Sequence, residues 1–374
     1  MVTSREEELA TISAEDRTAL TDSLRRLLAD KSTESEVRRV METPEGYDPS
    51  LWRQLAEMGV VGLIVEEEYG GVGAGPVELE LVMEEAGAAL LCAPLISSGV
   101  LAAGLLQALG DAEAKSRLLP GIAGGSRLAT VALTGKKGGW TAESIAVASA
   151  GGVLNGVAGF VTDAQVAGVL LVAARDGGQT AVFEVDPHAD GVEIKPLPTF
   201  DHTLRLAEIG FRDAPGRRLN AAGDAWLAVE SALDLVRVAL AGEEAGGAKR
   251  ALEMTVDYAK TRVQFGRLIG SFQAIKHMAA DILLEAESAV SAARHAARAL
   301  AEDSPDAQAA ISLASFACAD AFAAVTAQAI QMHGGIAFTW AHPAHLYLRR
   351  ARADAQLFGT SAAYRERFLT ALGA

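Results

Sequence analysis

Between residues 127 and 215 the chain is written in a different texture from what precedes and follows it. The runs 128–134, 144–149, 153–158, 168–174, 180–185 and 204–211 are short, glycine-bounded and partly alternating, which predicts the strands of a small antiparallel sheet or barrel. On either side, apolar residues return at helical spacing. Leu20, Leu24, Leu27 and Leu28 form one apolar stripe, preceded by the acidic start Ser13-Ala-Glu-Asp. A second helix begins at Leu51-Trp-Arg-Gln-Leu and stops at Gly59, and two more, 76–91 and 96–109, are separated by Pro94. After Pro215 the pattern is helical to the end, with one short break at Ser304-Pro305. Strands fenced by blocks of helices exclude alternating βαβ units. The expected fold is mainly α with a central β domain: a helical domain at 1–125, a β-barrel domain at 126–216 and a helical bundle at 217–374.

Composition narrows the partners. Half of the 374 residues are hydrophobic and the formal charge is −15, so a large core can be buried while nucleic acid and anionic membrane surfaces are excluded as partners. Cys92 and Cys318 stand far apart in apolar surroundings with no disulfide or metal spacing, and read as buried thiols. His333, His342 and His345 lack cysteine or acidic partners for a metal shell, so no metal site is expected. The start, Met1-Val-Thr-Ser-Arg-Glu-Glu-Glu, is neither a signal nor a transit peptide, and no apolar run reads as a clean span. The expectation is a cytoplasmic protein.

Dinucleotide signatures are missing: there is no Gly-x-Gly-x-x-Gly between a strand and a helix and no Walker loop. The chemistry-bearing stretch lies instead between Tyr258 and Gly359. It opens Tyr258-Ala-Lys-Thr-Arg-Val-Gln-Phe-Gly-Arg267, continues Gly270-Ser-Phe-Gln273, and later carries Gln331-Met-His-Gly-Gly335. A helix breaking near 262–266 presents a guanidinium, an aromatic ring and a glycine together. Such an arginine can fork onto phosphate oxygens, although a solvated turn has the same pattern.

This combination resembles the C-terminal domain of the acyl-CoA dehydrogenase family of flavoproteins, and the resemblance extends over nearly the whole chain. Val61-Gly-Leu-Ile-Val-Glu-Glu-Glu-Tyr-Gly-Gly71 resembles the family's N-terminal signature, with Glu66 where a proline is usual. The resemblance implies FAD as cofactor, an acyl-CoA substrate, an electron-transfer flavoprotein as acceptor, and a homo- or hetero-tetramer. It implies that Arg262 binds the FAD pyrophosphate, Phe265 packs on the cofactor and Gln273 hydrogen-bonds it, while Gln331, Gly334 and Gly335 meet the FAD of a neighbouring subunit. Phe160-Val-Thr-Asp163 looks like the aromatic-Ile-Thr-Asn segment whose ring covers the flavin, with Thr162 near its N5. Thr134 and Thr360 match further cofactor positions, and Asp234 and Arg237 match residues that touch substrate. After Thr134 the usual Glu-Pro-Gly-x-Gly-Ser-Asp is replaced by Gly135-Lys-Lys-Gly-Gly-Trp140.

The catalytic base departs most. Removing a weakly acidic α-proton requires a carboxylate within hydrogen-bond reach in a dry pocket. The family's glutamate positions are matched here by Phe358, in Leu357-Phe-Gly-Thr360, and by Val236. Glu243 and Glu244 are the carboxylates left nearby, and Glu243, two helical turns beyond Val236, is the candidate for a relocated base. The alternative is a glutamate-free subunit of a heterotetramer, inactive alone, of the kind that resembles steroid side-chain dehydrogenases.

Overall fold

The computed structural model describes residues 12–219 and 223–373; the acidic run at 1–8 lies outside the described residues. The chain is 57% helical around a central curled sheet, as its blocks of periodicity require. It divides into two compact units. One comprises residues up to 38, 76–91 and 237–374, the other 39–75 and 92–236.

The second unit is built on the sheet. Its helices are α3 (Pro49–Glu57), a π-helix (Leu95–Ala102), α5 (Ala103–Leu109) and α6 (Ala112–Ala123); α1 (Ala14–Lys31) and α2 (Glu34–Val40) precede α3 in the chain, and α4 (Pro76–Ala88) lies between α3 and the π-helix. Asp48 caps α3 by accepting from the N–H groups of Ser50 and Leu51, and Asp111 caps α6 at Ala114. The strands are β1 (Ala129–Ala132), β2 (Ala148–Ala150), β3 (Val153–Thr162), β4 (Val169–Asp176), β5 (Gln179–Val185), β6 (Val192–Pro196), β7 (Leu206–Pro215) and β8 (Arg217–Arg218). Their order is β6-β7-β3-β2-β4-β5-β8, with β1 paired to β4. The antiparallel expectation is corrected here. β4 runs parallel to both β1 and β2, because the chain crosses between these strands rather than turning back in a hairpin. Leu154, Leu170, Val172, Phe183, Ile209 and Phe211 fill the sheet's concave core. Arg205 fastens residues 41–43 to this unit, donating to the carbonyls of Met41 and Thr43 at 2.8 Å each.

The other unit is a helical bundle. α7 (Trp226–Thr261) enters it at Arg237 and is followed by the hairpin β9 (Val263–Gln264) and β10 (Arg267–Leu268). Then come α8 (Gln273–Ala301), α9 (Ala307–His333), α10 (Ala344–Asp354) and α11 (Ser361–Ala371). Small residues make the close packing possible: Ala241, Ala245, Ala289, Ala293, Ala296, Ala314 and Cys318 share one core. α4 joins the bundle by backbone contact. A Cβ on Gly246 would lie 1.9 Å from the carbonyl oxygen of Glu84, and one on Gly87 the same distance from that of Glu243. One apolar run does exceed the sequence expectation: residues 307–338 reach a mean hydropathy of 1.6 over a span-length window. Most of that window is buried, and α9 packs on α8, α10 and α11 as a core helix.

Candidate functional site

In the sheet unit, the flavin-type residues gather on a deformed stretch of β3. Its pairing with β7 shifts register between Ala158 and Val161, and Phe160 adopts φ +54°. A bulge of this kind re-aims a side chain, and the Phe160 ring stands 38% exposed while Thr162, two residues on, is buried. Thr134 sits opposite, taking the N–H of Gly159 on its carbonyl at 2.8 Å. Thr134 is 1% exposed, and its hydroxyl has no partner among the described residues. The loop that replaces the usual acidic and glycine-rich one folds back, with Gly135 N–H on the carbonyl of Ser144 and Lys136 paired to Glu208 at 3.1 Å. Asp234 and Val236 on the first turns of α7 are buried.

In the bundle unit, the break after α7 is a two-residue hairpin, which the sequence pattern had not distinguished from a plain turn. Leu268 pairs with Val263 and Arg267 with Gln264. The tip, Phe265-Gly266, has φ +54° and +77°, the doubly positive geometry of a type I′ turn. Phe265 is 92% exposed; Arg262 at the hairpin base and Gln273 at the start of α8 are exposed too. Gln331 is exposed on the last turn of α9, whose end at Gly334 has φ +67° and ψ −145°, a combination only glycine holds easily. Thr360 caps α11 by accepting from Ala363 N–H.

The two positions expected from the sequence to match a base are apolar and closed. Val236 is fully buried and Phe358 is 1% exposed. The main chain at 358–359 is braced by Tyr364, whose hydroxyl donates to the Phe358 carbonyl at 2.8 Å. Glu243, the candidate for a relocated base, is buried on α7. Its carboxylate is engaged by the Arg350 guanidinium, which also reaches the carbonyl of Leu91. Its neighbour Glu244 differs. Burial, reinforced by Asp354 and Glu243, holds its carboxyl well above the usual range. It lines a cavity of about 10 Å³ with Arg237, Asp354, Gly359 and Tyr364, room at the threshold of one water. The sequence signal was a second glutamate inside Val238-Ala-Leu-Ala-Gly-Glu-Glu-Ala-Gly.

His333 serves packing: its ring stacks on Tyr258 at 4.5 Å and lies 4.4 Å from that of His342, and burial lowers the pKa of both imidazoles. Among the described residues no three potential metal-binding side chains come together.

Comparison with known proteins matches residues 14–126 to the acyl-CoA dehydrogenase N-terminal domain and residues 223–372 to the acyl-CoA dehydrogenase C-terminal domain. The chain is 34% identical over 350 residues to the acyl-CoA dehydrogenase IpdE2 of Mycolicibacterium smegmatis, covering 92% of this chain and 95% of that protein. Among solved structures, the ChsE4-ChsE5 complex from Mycobacterium tuberculosis superposes with a TM-score of 0.88 at 28% identity, covering 97% and 98% of the two chains. The Tcur3481-Tcur3483 steroid ACAD does so with a TM-score of 0.85 at 29% identity, covering 96% and 98%.

Proposed function

This chain belongs to the acyl-CoA dehydrogenase family of oxidoreductases, with FAD as cofactor, and we propose that it works as the glutamate-free subunit of a heteromeric enzyme that dehydrogenates a bulky acyl-CoA thioester. One observation carries this reading. The two base positions hold Phe358 and Val236, both closed off from solvent, and the nearest relocated candidate, Glu243, is tied to Arg350. Two of the most similar solved structures are named as pairs of chains, and one of them as a steroid enzyme, which supports both the partner and the bulky acyl group.

Features of each unit fit a flavin. A bulge turns the Phe160 ring outward beside the partnerless Thr134 hydroxyl, and the Phe265 ring stands clear of its own fold at a hairpin tip. Of the sheet residues, we assign Phe160 as the apolar cover and Thr134 and Thr162 as the polar edge. Of the bundle residues, Arg262 holds the pyrophosphate, Phe265 packs on the cofactor and Gln273 hydrogen-bonds it. Thr360 lies beside it, and Gln331, Gly334 and Gly335 meet the FAD of a neighbouring subunit in a tetramer. The flavin supplies the hydride acceptor for the β-carbon, and its electrons pass on to an electron-transfer flavoprotein. Asp234 and Arg237 orient the thioester. The α-proton goes to a carboxylate of the related subunit. This division follows the three domains proposed at 1–125, 126–216 and 217–374, in a cytoplasmic assembly.

The experiment is expression of the chain alone and with a related glutamate-bearing chain, followed by flavin absorbance and anaerobic bleaching with a steroid-derived acyl-CoA. Bleaching only in the co-expressed sample is the expected result. Bleaching by the chain alone would sink the glutamate-free reading and leave acyl-CoA dehydrogenation by a complete enzyme.

A further inference from the structure

Three imidazoles of the bundle unit stand around one short surface segment. His333 ends α9, His342 precedes α10 and His345 lies in the first turn of α10. Between the first two run residues 334–341, which open with a 3-10 turn (Gly334–Phe338). Ala337 anchors this segment in a small core with Ile330 and Ala344, while Ile336, Phe338 and Trp340 are exposed.

The His333 ring is 4% exposed and packs on two others. Tyr258 of α7 stacks on it at 4.5 Å, and His342 tilts against it at 4.4 Å. Its Nδ1 lies 2.8 Å from the carbonyl of Ala329, which can only accept, so Nδ1 carries the proton. Nε2 of the neutral ring is then a bare acceptor, buried and without a partner among the described residues. His342 has the opposite tautomer, because its Nδ1 accepts the N–H of Ala344 at 3.2 Å. A second proton is therefore costly on either ring. On His333 it creates a buried N–H with nothing to receive it, and on His342 it removes the acceptor that Ala344 uses.

The surrounding charges add to this. Arg38 of α2 and Arg349 of α10 stand over the Trp340 ring at 6.0 and 5.3 Å, and His345 meets that ring edge-on at 4.6 Å. Glu34 of α2 opposes the two arginines, but it is already paired with Arg38. The Tyr258 face is the other feature that favours a cation. Burial lowers the pKa of His333, and burial followed by the His333 ring lowers that of His342. Burial, with Arg38 and Arg349, pushes His345 to about 4, so this third ring stays neutral in mild acid.

We propose that His333 and His342 form an acid-sensitive latch on residues 334–341: with both rings neutral the segment is held to the bundle, and a proton on either ring lets it lift. Gly334 and Gly335 were assigned above to the FAD of a neighbouring subunit, so acid also loosens that contact; this second part rests on that assignment. An imidazole in the open segment takes its proton near 6.5, and one in the closed segment only at lower pH. The latch is thus shut above pH 6.5 and loses its hold as pH falls below it. From about pH 7.5 to about pH 5.5, the open population rises by up to about tenfold for each imidazole that stays neutral when closed.

The test is hydrogen exchange of residues 331–342 at these two pH values, corrected for the intrinsic pH dependence of exchange, on the full-length chain alone and with its partner subunit. The variants are His333→Phe, which keeps a ring against Tyr258 but takes no proton, and His342→Asn, which keeps an oxygen for the N–H of Ala344. Wild type should open on the order of tenfold or more at the lower pH, with exchange in the rest of α9 unchanged. The double variant should show no such response. An equal response in wild type and double variant, no response in wild type, or a rise spread over all of α9 would overturn the latch. Should the double variant fail to fold, His342→Asn alone decides, an undiminished response counting against the proposal. FAD titration of the complex at both pH values separates the two parts. Opening with unchanged FAD affinity would leave the latch standing and remove Gly334 and Gly335 from the cofactor.

Discussion

Glu243 and Arg350 form an ion pair closed off from solvent at both ends, with 6% and 3% of their side chains exposed. Two charges taken from water recover the cost only through each other and through further hydrogen bonds, such as the one from Arg350 to Leu91. Removing either partner takes this ion pair from the other buried charge. Arg350→Met should therefore cost about 3–5 kcal/mol, Glu243→Gln a similar amount, and Glu243→Met combined with Arg350→Leu much less than their sum. Urea unfolding of the four proteins checks this. Additive losses would mean that the two side chains do not depend on one another.

Glu80 gives the bundle a pH dependence. It stands on α4 where the helix touches α7, a Cβ on Gly242 falling 2.7 Å from its carbonyl oxygen. Neither carboxylate oxygen finds a partner among the described residues. Burial, with the Glu84 charge adding to it and Arg294 opposing, pushes its pKa from 4.5 up to about 8. The folded state thus binds the proton more tightly than the unfolded one. Stability contributed by this group is unpenalised below pH 4.5, falls as pH rises from there to about 8, and levels off above. Glu80→Gln should leave stability unchanged at low pH and raise it by on the order of a few kcal/mol at pH 9. Denaturation midpoints at several pH values read this out, and an unchanged slope between wild type and variant would refute it.

Gly359 and Tyr364 form a tight pair next to Phe358. A Cβ at Gly359 would lie 2.5 Å from Cζ of the Tyr364 ring, and that ring's hydroxyl holds the Phe358 carbonyl. Gly359→Ala should cost about 2–3 kcal/mol through overpacking. The same change in a Tyr364→Ala background should cost markedly less, since the obstructing ring is gone. Equal penalties in both backgrounds would locate the glycine's role in the backbone alone.

What the sequence disclosed and what it hid divide along local and non-local lines. The succession of helix, strand and helix blocks was legible because side-chain periodicity is a local property. So was the helix break at Arg262. The parallel pairing of β1 with β4 was not, because it joins Ala129 to Val169 across two intervening strands. β6 was missed because Val192–Pro196 is half exposed and ends in proline, leaving little apolar alternation. The roles of Glu243 and Glu244 could not be separated from spacing either. They are adjacent in sequence, and what distinguishes them is Arg350, a hundred residues later, facing one and not the other. The π-helix at Leu95–Ala102 falls in the run 96–109 that reads as one ordinary helix, because its wider winding has no periodic signature of its own.

The exposed tip of the β9–β10 hairpin offers the cleanest separation of folding from cofactor binding. Phe265 is 92% exposed and its ring centre is 6.2 Å from that of Phe272, whose face is already covered by Arg267 at 3.9 Å. Within this chain the ring therefore buries little surface, and Phe265→Ala should change stability by no more than about 0.5 kcal/mol. Phe265→Gly should be neutral or slightly favourable, because glycine holds the φ of +54° without strain. An aromatic side chain left in water by its own fold is available to a partner. Both variants should lose FAD, on the order of tenfold in affinity, while keeping the wild-type Tm of the FAD-free chain. FAD titration beside a thermal melt gives both numbers. A melt that drops with FAD affinity unchanged would make the hairpin an element of the fold and remove Phe265 from the cofactor site.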